Sequence, residues 1–368
     1  MLYRYVCLES LGYTLPDEIV TSDEIESRLQ PLYSRLRLPE GRLELMTGIR
    51  ERRFWAPGTM PSQISVRSAR KAIASSGVSL DRIGAIVHAS VCRDYLEPAT
   101  SCIVHEQLGL RSDCVVYDCS NACLGFLNGM IQVANMIELG QIEAGIVVAS
   151  EGSRELVETT IERLNSNESF TRDSVKPAMA SLTIGSASAA AVLTDRRISQ
   201  TDNRLLGAVA RADTSAVSLC QSGRDESVGG NMKPLMNTDA EQLMAAGVAL
   251  AVATFGQFVD ELAWTVDDIN RTCCHQVGSM HRRLMLESLG LNRENDFTTF
   301  EFLGNTGSAA MPVTAALAAE RGFIRAKDQV AMLGIGSGLN SVMLAVDWQT
   351  VASVKQLSNP APVNIEIG

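Results

Sequence analysis

Short apolar runs alternate along the chain with longer segments whose hydrophobic positions recur at helical spacing. Residues 83–90, 114–118 and 145–150 read as buried strands, with helices predicted over 100–108 and 124–139 between them. The same order of strand and helix returns over 272–276, 280–289, 297–302, 308–321 and 330–335. Local matches keep the two stretches in step. Leu80-Asp81-Arg82-Ile83 answers Val266-Asp267-Asp268-Ile269, Leu108-Gly109-Leu110 answers Leu289-Gly290-Leu291, and Gly140-Gln141-Ile142 answers Gly322-Phe323-Ile324. The offset stays at about 180 residues, so the pattern predicts an α/β chain made by duplicating one βαβ-rich half.

The pattern breaks in two places. Residues 157–234 are rich in Arg, Ser, Asn, Asp and Gly, including Ser222-Gly223-Arg224-Asp225 and Gly229-Gly230-Asn231. Only 187–193 and 205–211 look like strands there, so a loop-bearing insertion over one face is expected. Beyond Trp348, Pro360 and Pro362 mark an irregular end. The expected organisation is a first half over 1–200, a second over 201–350 and a tail over 351–368.

Composition narrows the class. With 46% hydrophobic and 20% charged residues in 368, the chain can bury a large core. A formal charge of −10 argues against nucleic acid or an anionic membrane surface as partner. No signal peptide is expected, because Glu9 interrupts the start early. The most apolar helical stretch, 245–259, is too short and too interrupted to predict a membrane span. Nine cysteines, an odd number spread through core-like segments, fit a reducing cytoplasm.

Candidate chemistry centres on Cys123, in Tyr117-Asp118-Cys119-Ser120-Asn121-Ala122-Cys123-Leu124-Gly125-Phe126. The thiol falls at a strand-to-helix turn, where N–H groups and the helix dipole favour a thiolate and can hold an oxyanion. Superposing the halves sets Cys123 opposite Thr306 and beside Asn305. Equivalent turns of paired α/β halves meet near the interface, which would gather Cys123, Cys274-His275-Gln276 and Gly304-Asn305-Thr306. Among four histidines, His88, His105, His275 and His281, His275 follows an apolar strand and opens a polar turn. A lone cysteine or histidine is usually structural, so the combination carries the weight.

These residues resemble the thiolase superfamily, and its ketoacyl synthase III branch in particular. The resemblance runs over nearly the whole chain: Leu15-Pro16-Asp17, Thr47-Gly48-Ile49-Arg50-Glu51-Arg52, Ala122-Cys123-Leu124-Gly125-Phe126, His275-Gln276, Gly304-Asn305-Thr306 and Gly334-Ile335-Gly336-Ser337-Gly338. It implies a five-layered αβαβα fold, with Cys123 as acyl-accepting nucleophile and His275 and Asn305 holding the enolate oxygen of a second substrate. The N–H groups of Cys123 and Gly338 would form the oxyanion hole. It also implies an acyl-CoA substrate, no cofactor, and a homodimer. Two departures from the decarboxylating synthases stand out: Met46 and Arg42 replace an arginine and a tryptophan that help bind coenzyme A, and Glu97 stands where a phenylalanine is usual.

A carboxylate at position 97 changes the available chemistry. Decarboxylation generates its own carbanion, whereas condensing two ordinary acyl thioesters needs a base for an α-proton. The olefin-pathway thiolases that join two fatty acyl-CoA molecules are similar in having such a glutamate, donated by the neighbouring subunit. The expectation is therefore an acyltransferase that condenses two acyl-CoA chains by a Claisen reaction. Its main rival is a decarboxylating synthase that uses malonyl-acyl carrier protein, and a catalytically silent acyl-binding scaffold is the third reading. Alternatively Glu97 merely caps the helix after Pro98. Arg282 and Arg283 are candidates for the phosphates of coenzyme A, or else a solvated helix face. The turn 334–338 fails as a dinucleotide loop, since Leu339 replaces the third glycine and a strand follows. Cys114, Cys119 and Cys123 lack zinc-ligand spacing, and Cys273 and Cys274 read as strand residues, so no metal is expected.

Overall fold

The computed structural model describes residues 1–223 and 236–350. The segments 224–225 and 229–231 of the expected insertion, and the tail 351–368, lie outside the described residues. Nine strands make one mixed sheet: β1 (Val6–Thr14), β2 (Ile83–His88), β3 (Val115–Asp118), β4 (Ala144–Glu151), β5 (Ala187–Asp195), β6 (Arg204–Ala212), β7 (Arg271–Cys274), β8 (Asp328–Gly336) and β9 (Asn340–Trp348). Their order is β7-β8-β9-β6-β1-β5-β4-β2-β3. The halves join at the seam between β1 and β6, through a single register pair, Cys7 opposite Arg204. Strand β2 is parallel to β3 and β4, and β7 is parallel to β8, as the repeat requires.

Six helices complete the layers. On one outer side lie α1 (Pro61–Ser76) and α2 (Thr100–Leu108). In the middle lie α3 (Gly125–Glu138) and α6 (Ala310–Glu320), and on the other outer side α4 (Ala240–Leu262) and α5 (Ser279–Leu289). Period-two alternation decides which core each strand residue enters. Ala189, Ala191 and Leu193 face the central helices while Ala190 and Val192 face α1, and Val342, Leu344 and Val346 face the centre while Met343 and Ala345 face α4 and α5. Both faces of each half are covered, which is why the strands read as unbroken apolar runs. Helix α6 is buried on every side from Ala310 to Ala319, and its alanines let it fit between two sheet faces.

Three expectations need correction. Residues 297–302 are no strand: Phe300–Leu303 is a short helix, and the strand edge shrinks to one parallel bridge between Thr272 and Asp296. The N–H groups of Thr299 and Phe300 donate to Gln276 Oε1, at 2.8 and 3.2 Å, which removes them from any ladder. Nor is 157–234 mainly an insertion. It contributes β5 and β6, strands flanking β1 and the seam, and a helix, Arg154–Ser166, whose Val157, Ile161 and Leu164 share a small core with Ile25, Leu29 and Leu32. Finally, the apolar helix runs over 23 residues, longer than 245–259, and by length and composition it could cross a bilayer. In the fold its Leu250, Ala251, Phe255 and Phe258 enter the outer core against β6 and β9.

Candidate active site

Strand β3 delivers the chain to the nucleophile turn. Its last residue, Asp118, accepts the N–H groups of Thr100 and Ser101 at 2.8 and 2.9 Å, locking the start of α2 to the strand end. Ala122 then adopts φ +44°, a conformation that costs an L-residue energy and turns the next side chain sharply out of the strand direction. Cys123 follows, and α3 begins at Gly125. The Phe126 N–H in its first turn donates to Ser308 Oγ at 2.8 Å, and that hydroxyl donates to Ala89 O at 2.6 Å. One serine of the second half thus bolts the nucleophile turn in place.

The other turns close around it. Asn340 Nδ2 donates to Asn121 Oδ1 at 3.4 Å, and a Cβ on Gly336 would lie 3.6 Å from Cys123 N, so the glycine turn 334–338 abuts the backbone of the Cys123 turn. Asn305 is fixed by its backbone: its N–H donates to Thr183 O and its carbonyl accepts from Gly185 N–H, both at 2.9 Å. Gly304, at φ +67°, makes that contact possible, since a Cβ there would meet Thr183 O at 2.6 Å. The Asn305 Oδ1 accepts from Gly307 N–H at 3.0 Å, which fixes how the amide is turned. His275 continues β7, donating its N–H to Leu333 O at 3.0 Å, and Gln276 beside it holds the 299–300 backbone.

Electrostatics set the resting state. Burial first, and the nearby Glu151 second, push the Cys123 thiol up to about 12. The sequence favoured a thiolate through the α3 dipole. The protein packed around the sulfur outweighs it, and Cys123 rests as a thiol. His275 is driven down to about 3 by burial and then by His281, which burial itself lowers to about 4. The two rings meet edge to face with centroids 6.3 Å apart, and the Nδ1 atoms of both have no hydrogen-bond partner among the described residues. Both imidazoles are neutral at pH 7. Neutral His275 suits hydrogen-bond donation to an oxygen better than an ion pair with a thiolate.

One residue of the site escaped the sequence reading. Glu151, last in β4, is buried, and burial pushes its carboxyl up to about 7. It accepts the N–H groups of Val91 and Cys92 at 3.0 and 3.3 Å. The signal was an acid closing an otherwise apolar strand.

Glu97 lies apart from this cluster, exposed on the loop 91–99 with Val91, Tyr95 and Leu96, each more than half exposed. It does not cap α2: the cap position is Ala99, without a side-chain bond, and the first N–H groups go to Asp118. Arg282 donates to the buried Asp296 carboxylate at 2.7 Å and to two backbone carbonyls, so its guanidinium is committed to the fold. Exposed Arg283 rests on Met280 Sδ at 2.8 Å. Arg42 and Met46 sit on a short helix, Arg42–Thr47, that abuts the start of α5.

A half-buried thiol, a neutral imidazole and a fixed amide are the group types that acyl transfer and enolate stabilisation call for. Comparison with known proteins agrees. A family profile described as 3-oxoacyl-[acyl-carrier-protein (ACP)] synthase III C terminal matches residues 259–348. An acyl-CoA:acyl-CoA alkyltransferase of Shewanella oneidensis is 44% identical over 352 residues, covering 95% of this chain and 100% of the relative. A second, from Xanthomonas campestris, is 34% identical over 95% of this chain and all of its own. The OleA structure from that organism, a cysteine-to-serine variant with bound lauric acid and lauroyl-CoA, superposes with a TM-score of 0.88 over 94% of this chain and 100% of its own, at 34% identity.

Proposed function

Because the chain belongs to the acyl-CoA:acyl-CoA alkyltransferase family of thiolase-fold enzymes, we propose that it joins two fatty acyl-CoA molecules by a non-decarboxylative Claisen condensation. In this reading the Cys123 sulfur attacks the first thioester, loses its proton, and coenzyme A departs as the thiol. The N–H groups of Cys123 and Gly338 hold the oxyanion. Glu97, supplied by a second copy of the chain, then removes an α-proton from the second acyl-CoA, while His275 and Asn305 donate to the enolate oxygen. The carbanion attacks the Cys123 thioester, the sulfur leaves, and a β-ketoacyl-CoA is released. No cofactor enters any step.

The observation that carries this reading over its rival is the position of Glu97. Its side chain makes no hydrogen bond or ion pair among the described residues and caps no helix, and it shares its exposed loop with the apolar Val91, Tyr95 and Leu96. A carboxylate with no structural task, on a surface suited to a second subunit, supports a base acting across a homodimer. Nine free cysteines support a reducing, cytoplasmic setting.

The test is Glu97→Gln with myristoyl-CoA as sole substrate. Acylation of Cys123, followed by intact mass, should persist while condensation drops by about a hundred- to ten-thousand-fold. The rival, condensation with malonyl-acyl carrier protein, needs no base. Malonyl-dependent turnover that survives in Glu97→Gln, with no product from two acyl-CoA molecules in the wild type, would replace this reading.

A further inference from the structure

Glu151 is a buried ionisable group that the mechanism above leaves unused, yet it touches the segments that the mechanism needs. Its carboxyl accepts from Val91 N–H and Cys92 N–H, at the root of the loop that ends in Glu97. On its other side a Cβ on Gly307 would lie 3.3 Å from Glu151 Cγ and 3.5 Å from Oε1, so it packs on the turn that carries Asn305. The strand end is itself held firmly: Trp55 Nε1 donates to Glu151 O at 2.9 Å, and Gly152 N–H donates to Cys92 Sγ at 3.3 Å. From this root the loop reaches Asp94, which accepts Ser62 N–H at 2.8 Å, and only then the exposed tip.

We propose that Glu151 is a positioning residue of the condensation, fixing the root of the Glu97 loop and the Asn305 turn beside Cys123 and governing through its charge how readily Cys123 ionises. The first half of this rests on the function proposed above, and the second does not. The titratable groups around the carboxyl and the Cys123 thiol are thiols, Cys92 from the loop against the carboxyl and Cys220 near Cys123, and the carboxyl's other partners are backbone N–H groups. It forms no ion pair among the described residues. Carboxyl and thiol therefore compete for one negative charge in an enclosed space: an ionised Glu151 opposes the Cys123 thiolate, and a protonated one permits it.

The experiment compares wild type, Glu151→Gln and Glu151→Asp. Alkylation of Cys123 by iodoacetamide is followed across pH by peptide mapping, which separates it from the other eight cysteines. Glu151→Gln removes the charge and should move the alkylation profile to lower pH, raising the rate at pH 8 by about tenfold for every pH unit the profile moves. It should still acylate but condense at least about tenfold more slowly, because an amide nitrogen cannot accept a loop N–H. Glu151→Asp keeps the charge and loses reach, so its alkylation profile should match wild type while condensation falls. It also carries the positioning test should the glutamine variant fail to fold. An alkylation profile in Glu151→Gln that superimposes on wild type overturns the charge coupling, and wild-type condensation in both variants overturns the positioning. A shifted profile in a protein that never condenses acyl-CoA would sink the proposed function and leave the coupling standing.

Discussion

Cys123 and its neighbours show how burial assigns protonation states before any substrate arrives. Replacing the thiol, Cys123→Ala, exchanges one small side chain for another and should abolish the acyl-enzyme while the fold persists, as intact-protein mass spectrometry after incubation with acyl-CoA would reveal. A surviving adduct would move the nucleophile to another thiol, Cys119 first. The same burial makes stability depend on pH with opposing signs. His275 and His281 have native values near 3 and 4 against 6.5 in the unfolded chain, so only the unfolded state gains their protons as pH falls through 6.5, and stability drops. Glu151, raised to about 7 from 4.5, stabilises fully below 4.5 and loses that contribution as pH rises through 7. Between pH 6.5 and 4.5 His275, His281 and His88, which burial also lowers, oppose the Glu151 carboxyl. Urea unfolding at pH 6.5 and 5.0 should therefore show an acid-side loss of about 1–2 kcal/mol that shrinks in His281→Leu, which has no proton to gain. An undiminished loss would mean that His281 is not neutral in the native protein.

At the scale of elements, the site depends on backbone contacts that only particular residues allow. Gly185 passes so close to the Phe300–Leu303 helix that a Cβ would collide with the Leu303 carbonyl oxygen, and its N–H is the one that holds Asn305 O. Gly185→Ala must push that helix or the strand away. We expect a loss of about 1–3 kcal/mol, read as a lower urea midpoint, together with slower condensation as Asn305 shifts. Ser308→Ala is the gentler probe. It strands Phe126 N–H and Ala89 O, both buried, at about 1–3 kcal/mol, and should loosen the nucleophile turn without touching Glu97. A variant with full stability and full acylation would show that α3 holds the turn alone.

For the whole molecule, the decisive question is which chain supplies Glu97 to which thiol. Strand β3 lies at the sheet edge with Val115 exposed, near in sequence to the exposed Val91, Tyr95 and Leu96, a surface that a second copy would cover. If the base acts across that interface, inactive Cys123→Ala and inactive Glu97→Gln should complement each other. Random exchange into mixed dimers pairs each intact thiol with an intact glutamate in one of two sites, restoring up to about a quarter of wild-type condensation. No recovery after confirmed subunit exchange, or a monomer by light scattering, would confine the base to its own chain.

What the chain determined unaided was whatever depends on local order and repetition. The strands β2, β4, β8 and β9 and the helices α2, α3 and α5 fall within a residue or two of the apolar runs, because both faces of those strands are buried and continuous hydrophobicity marks them. The repeat set the Cys123 and Asn305 turns opposite each other, and in the fold Ser308, three residues past Asn305, accepts the N–H of Phe126, three residues past Cys123. Strand β1 escaped notice because Glu9 breaks its pattern, a charge tolerated there only because Ser199, Gln200 and Thr201 satisfy it from a distant turn. The 297–302 segment misled for the same reason, since Gln276 takes the hydrogen bonds that a strand would have used. Sequence left Arg282 between a phosphate ligand and a solvated helix face, and its bond to the distant Asp296 carboxylate had no local sign, nor did the contacts of Glu151 at the end of its strand. Side chains whose partners lie far away in sequence carry no local signature, and only the tertiary structure decides what they do.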